Sequence, residues 1–221
     1  MSRNTALAAP ELLEKVHQAY MWAGYEDGQP ALNLDGELCE PWQVREWGGF
    51  SLRNLMETHF DEVFALTESW AVDPSPNVRR GVLLGCKLTK KAATPDRVKR
   101  VLKRIALLMP DGHEYIKKNC GAFVVNELGS LQPDIVLAWL KEQAAIADPN
   151  VRSNVAKSFT QAFGKRYPQQ AMEVLELIVD DPAKIVQSAL VSALKNLVKK
   201  GGIDSTVIVE RFPKQASQVL R

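Results

Sequence analysis

Cations stand directly after an aliphatic residue at three places in this 221-residue chain, as Val78-Arg79-Arg80, Ile116-Lys117-Lys118 and Val151-Arg152. Guanidinium and ammonium groups bind phosphate or carboxylate oxygens, so each of these places is a candidate for holding an anion. Each also opens an expected helix, where a positive charge opposes the macrodipole by about 0.3–1 kcal/mol. Something must offset that cost: an acidic residue of the fold, or a ligand. The wider charge distribution points the same way. Residues 1–76 hold 4 Lys/Arg against 13 Asp/Glu, residues 77–118 hold 12 against 3, and residues 119–221 hold 12 against 10. A field of that form steers a polyanion toward the middle of the chain, unless the two ends neutralise each other within the fold.

Other chemistries lack their residues. His17, His59 and His113 are isolated, so neither a metal site nor a histidine dyad is indicated. Cys39, Cys86 and Cys120 are widely spaced and odd in number, which argues against zinc and against a disulfide framework. No phosphate-binding loop, dinucleotide fingerprint or nucleophile elbow occurs, and no cofactor is implied. No apolar run approaches the roughly 18 residues that cross a bilayer, and Met1–Pro10 makes a poor signal peptide. The expectation is a reduced, cytoplasmic protein.

The elements that must position these cations repeat. Asp73-Pro-Ser-Pro-Asn-Val-Arg-Arg80 recurs as Asp111-Gly-His-Glu-Tyr-Ile-Lys-Lys118, as Asp148-Pro-Asn-Val-Arg152, and more weakly as Asp181-Pro-Ala-Lys-Ile185. The aliphatic anchors Val78, Ile116, Val151 and Ile185 lie 38, 35 and 34 residues apart, the period of a stacked helical repeat. The fold class expected is therefore all-α, an α-solenoid of HEAT-like repeats forming one domain over 1–221. Within it, 1–60 hold divergent helices and a long loop at 22–43, 61–200 the regular repeats, and 201–221 a cap. Helices are expected over 10–20, from Trp42 onward with a turn at Gly48-Gly49 and a break near His59, and over 61–71, 77–90, 95–109, 115–128, 134–145, 150–165, 168–179 and 183–199. Arg97, Lys99, Arg100, Lys103 and Arg104 are expected to face largely outward. Gly201-Gly202 should end the last long helix.

In HEAT repeats, which these copies resemble, the Arg after the anchor pairs with an Asp of the neighbouring repeat. That is the structural reading of Arg79, Lys117 and Arg152. Arg80 and Lys118 stand about 100° further round the helix, where the other copies have Ser153 and Gln187. They suit either a ligand-facing position or a solvated surface.

Residues 42–158 resemble the HEAT-like DNA alkylation repair proteins, a family that includes bacterial alkylpurine DNA glycosylases. The resemblance rests on Trp70-Ala-Val-Asp-Pro-Ser-Pro-Asn-Val-Arg-Arg-Gly-Val-Leu-Leu84, on Glu114-Tyr-Ile-Lys-Lys-Asn-Cys-Gly121 and on Pro133-Asp-Ile-Val-Leu137. It implies duplex DNA as the partner and excision or recognition of N3- or N7-alkylated purines as the activity. Trp42-Gln-Val-Arg-Glu46 matches the family's Trp and catalytic carboxylate, with Glu46 in place of Asp. Trp42 and Glu46 are thus the implied catalytic pair. Ala122-Phe123 stands near the expected cleft Trp, and Val125 or Asn126 where an Arg is expected. Arg79, Arg80, Lys87, Lys117, Lys118, Arg152, Lys157 and Lys165 are the implied phosphate contacts along a concave face. The alternative is a non-enzymatic scaffold of HEAT repeats that binds a protein partner through that face. Packing at a helix entry is the plainer account of Trp42 and Trp47.

Overall fold

The computed structural model describes residues 41–221, together with 11, 14–15, 31–32 and 38–39. Glu11, Glu14 and Lys15 are helical. The rest of the helix expected over 10–20, His17, Trp22 and most of the loop at 22–43 lie outside the described residues. The chain clusters into two compact units, Met1–Ala92 and Ala93–Arg221. Among its described residues the regular elements are helices, apart from one two-residue antiparallel ladder of β1 (Ala31–Leu32) on β2 (Leu38–Cys39). Among the described residues, no helix is long and apolar enough to cross a membrane.

In the first unit, α1 (Pro41–Thr58) packs on both α2 (Phe60–Trp70) and α3 (Pro76–Cys86). The expected break at His59 is present, but Gly48-Gly49 is no turn: both glycines lie buried inside α1. Glycine costs about 1 kcal/mol against alanine in a helix interior, and burial of Val44, Leu52, Leu55 and Met56 along the same helix outweighs that. The sequence suggests Val78, Val82, Leu83 and Cys86 as the inward face of α3, and all four are fully buried.

In the second unit the helices are α4 (Pro95–Ala106), α5 (Glu114–Asn119), α6 (Asn126–Leu131), α7 (Pro133–Ala144), α8 (Pro149–Lys157), α9 (Ala162–Arg166), α10 (Pro168–Glu176), α11 (Lys184–Gly201), α12 (Ser205–Arg211) and α13 (Pro213–Val219). A π-helical turn, Cys120–Val125, joins α5 to α6 without a break. Elements about one repeat apart stack in two sets. The π turn packs on α8 and α8 on α11, while α4 packs on α7 and α7 on α10. Gly202 closes α11 in the left-handed conformation, at φ 75°.

Further expectations need correction in this unit. Residues 150–165 form two helices, because the chain breaks between Lys157 and Ala162. The break is held by tertiary bonds: Asn196 Nδ2 donates to the carbonyls of Phe159 (2.8 Å) and Gln161 (2.9 Å), and Phe163 N donates to Asn126 Oδ1 at 2.9 Å. Phe159 and Phe163 stack beside it with ring centroids 5.3 Å apart. Arg104 is buried rather than outward, whereas Lys99 and Lys103 are exposed.

The repeat copies align by their helix caps. The residue three before each anchor is the N-cap: Ser75 before Val78, His113 before Ile116, Asp148 before Val151 and Ala183 before Val186. The fourth anchor is therefore Val186, fully buried, and not Ile185, which is exposed. The recurring Asp does two jobs. Asp73, Asp111 and Asp181 each accept from the amide two residues on, at 2.8 Å, which stiffens the turn before the helix. Asp148 is the cap itself and accepts from Asn150 N and Val151 N at 2.7 and 3.2 Å.

Candidate functional site

On α1, Trp42 and Glu46 are four residues apart and Phe50 four further on, so the three share one helical face. Trp42 and Phe50 are 55% and 59% exposed, which for aromatics of that size marks a surface available for contact. Between them the Glu46 carboxylate accepts a hydrogen bond from Arg80 Nη2 and forms an ion pair with it. Three of the residues singled out in the sequence, Trp42, Glu46 and Arg80, thus meet on one face of the first unit. Phe50 was missed, although its place two turns beyond Trp42 was readable. Trp47 is half-buried and Trp70 is buried, as packing residues are.

The geometry limits what Glu46 can do. A bare carboxylate stabilises a sugar cation as a base departs, but a guanidinium bonded to that carboxylate offsets much of its field. Arg80 in turn keeps only 12% of its side chain exposed. Both groups are therefore held in position, and the aromatic surface beside them is the part that faces outward.

The other candidate cations divide into three groups. Arg79 and Arg152 brace their own turns. Arg79 Nη1 donates to the carbonyls of Asp73 (2.7 Å) and Pro74 (2.9 Å), and Arg152 Nη1 donates to Ile146 O at 2.8 Å. Arg152 Nε also pairs with Asp181 of the next copy, as the ladder reading of that residue expects. In the fourth copy Gln187 Nε2 does the bracing, on Asp181 O at 2.8 Å. Lys118 and Lys165 stand exposed. Lys87, Lys117 and Lys157 are half-buried. Burial holds the Lys87 ammonium below the usual lysine range, with the charge of Arg53 adding to the effect.

Lys117 and Lys157 line one cavity of about 290 Å3 in the second unit, with Glu114, Ser153, Lys184 and Ser188. Burial lowers the Lys157 pKa, and the neighbouring Lys117 charge lowers it further. Glu114 is held below the usual carboxylate range by its hydrogen bond to Lys117 and that residue's charge. Lys184 and Ser188 belong to the weakest repeat copy and were missed for that reason. Among the described residues, no group of three or more His, Cys, Asp or Glu is placed to hold a metal ion.

The lowered lysines give a pH signature. Below their folded pKa values, Lys87 and Lys157 are charged in both folded and unfolded chains, and the burial penalty is present in full. As pH rises toward 10.5, the folded protein releases these protons first, so the unfolded chain binds more and stability rises. Thermal unfolding between pH 8 and pH 10 should show that rise in the wild type, and a smaller one in a Lys87→Met/Lys157→Met double variant.

No protein-family model matches this chain, and neither a curated protein nor a solved structure matches it.

Proposed function

We propose that this chain is an α-solenoid of HEAT-like repeats that binds duplex DNA, and that the face carrying Trp42, Glu46 and Arg80 recognises alkylated purines. The observation that carries the reading is the exposed Trp42 one helical turn from the Glu46–Arg80 pair. The two-set stacking of helices about one repeat apart supports the solenoid part of it. An N3- or N7-alkylated purine is a cation with a flat face. An exposed indole attracts such a ring by stacking and by its quadrupole. Arg80 makes recognition a better match than excision, because it offsets the charge that excision would draw on. The exposed Lys118 and Lys165 are suited to phosphate contact; Arg79 and Arg152 are committed to their turns.

Fluorescence anisotropy on matched duplexes, with and without an N7-alkylated guanine, tests this. The expected result is binding that weakens with salt, with a log–log slope of about −0.9 per phosphate contacted. Trp42→Ala should remove about 1–3 kcal/mol of the preference for the alkylated duplex, the worth of one base–aromatic stack. Absence of duplex binding at low salt overturns the proposal. Release of free alkylated base that stops in Glu46→Gln would establish excision as well. The exposed pair Trp42 and Phe50 also favours a second reading, a docking surface for a protein. A stoichiometric partner recovered in nuclease-treated pull-downs, and lost in Phe50→Ala, would support it.

A further inference from the structure

The cavity between α5, α8 and α11 has a charge imbalance that the fold itself does not resolve. Three ammonium groups, Lys117, Lys157 and Lys184, line it against one carboxylate, Glu114. That carboxylate bonds to Lys117, with Glu114 Oε1 2.6 Å from Lys117 Nζ, and its single charge also acts on Lys157. Lys157 Nζ donates at 3.3 Å to the Lys117 backbone carbonyl, which carries no formal charge. Lys184 is the first residue of an 18-residue helix, where a cation opposes the macrodipole. The N-cap there, Ala183, supplies no side-chain cap to the first-turn amides. Half-burying one lysine beside a second and adding a third at a helix N-terminus is unfavourable unless an anion occupies the space between them.

We propose that this cavity binds a phosphomonoester dianion. Three ammonium groups against one carboxylate leave the lining with a net charge of +2, and a dianion neutralises it. A phosphodiester, with a single negative charge, leaves one positive charge uncompensated. Ser188 is exposed on the same wall and offers a hydroxyl donor. Ser153 Oγ is turned to the Ile185 carbonyl at 3.3 Å and holds the first turn of α11 against α8. A volume of about 290 Å3 sits at the lower edge of ordinary ligand pockets, about 300–1,000 Å3. It admits a phosphoryl group with a small carrier. The carrier is either a small molecule or the 5′ end of a nucleic acid strand, and both present the same dianion. This site lies wholly in the second unit and does not depend on what the Trp42 face binds.

Isothermal titration of the full chain at constant ionic strength and pH 8 tests the proposal. The probes are inorganic phosphate, dimethyl phosphate, adenosine 5′-monophosphate, adenosine, and a short single strand with and without a 5′-phosphate. Saturable one-site binding is expected for inorganic phosphate and the monophosphate, and no binding for adenosine. Dimethyl phosphate should bind at least tenfold more weakly than inorganic phosphate. Lys157→Met and Lys184→Met should each weaken phosphate binding about tenfold. Lys184 is exposed, so its variant remains informative if Lys157→Met fails to fold. If the 5′-phosphorylated strand binds more tightly than both the monophosphate and the unphosphorylated strand, the source is a nucleic acid end; a monophosphate that binds at least as tightly as the phosphorylated strand assigns a small molecule. Undetectable phosphate binding overturns the proposal, as does equal affinity for dimethyl phosphate, or phosphate affinity unchanged in both lysine variants.

Discussion

Arg152→Ala is expected to destabilise the second unit by about 3 kcal/mol, the loss that follows when one partner of a buried ion pair is removed. The Asp181 side chain is only 3% exposed and that of Arg152 is 19% exposed, so the carboxylate left behind has little access to water. Ala183 N still donates to Asp181 Oδ1 at 2.8 Å, which retains part of its compensation and keeps the expected cost at the lower end of the range. The variant also loses the brace from Arg152 Nη1 to the Ile146 carbonyl. Urea unfolding followed by far-UV circular dichroism should report the loss as a shift in midpoint at unchanged slope. The double variant Arg152→Ala/Asp181→Ala should recover part of it, because no orphaned charge remains. DNA affinity, measured where both proteins are folded, should be unchanged. A stable Arg152→Ala protein with weakened DNA binding would instead make Arg152 a phosphate contact.

Gly121→Ala is expected to cost about as much, roughly 3 kcal/mol, for a steric reason. A Cβ at position 121 would stand 2.3 Å from the Asn154 carbonyl oxygen and 3.0 Å from its carbon. Both are backbone atoms, so no rotamer change relieves the clash. The π turn and α8 meet closely here because Gly121 N donates to Asn154 Oδ1 (3.3 Å) while Asn154 Nδ2 donates to Met109 O (3.0 Å). Pushing the π turn from α8 strains both bonds in a site where Asn154 is buried. The same urea assay reads this variant. A midpoint within about 0.5 kcal/mol of wild type, the spread typical of surface changes, would mean that the two elements separate at little cost.

These two sites also show which features the sequence reveals. Copies of the turn–helix unit were legible because capping and anchoring are local: Asp73, Asp111 and Asp181 bond amides two residues away, and Val78, Ile116 and Val151 are buried as their spacing suggests. The Arg152–Asp181 pair was legible as a type of contact through the period. The fourth anchor was misplaced by one residue because Ile185 and Val186 are both aliphatic, and only burial distinguishes them. Gly48-Gly49 suggested a turn because helix propensity is local, while the packing of α1 on α2 and α3 is not. Gly121 and the buried residues Asn126, Asn154 and Asn196 work through partners 33–45 residues away in sequence, which no local pattern encodes.

The candidate sites divide along the same line. Trp42 and Glu46 lie one turn apart on α1, so their shared face followed from spacing, but the ion pair from Glu46 to Arg80 spans 34 residues and did not. Lys117 and Lys157 were singled out separately as cations, and their common cavity with Lys184 emerges only when α5, α8 and α11 are brought together. Arg79 and Arg80, adjacent in sequence, serve different ends: one ties its own turn and the other holds the carboxylate beside the exposed indole.

Anisotropy titration of wild type and Trp42→Ala against paired alkylated and unmodified duplexes, at two salt concentrations, bears most directly on the proposed function. The account expects both proteins to bind DNA with the same salt dependence, and only the wild type to favour the alkylated duplex. It is contradicted if neither protein binds duplex DNA at low salt, or if Trp42→Ala retains the full preference.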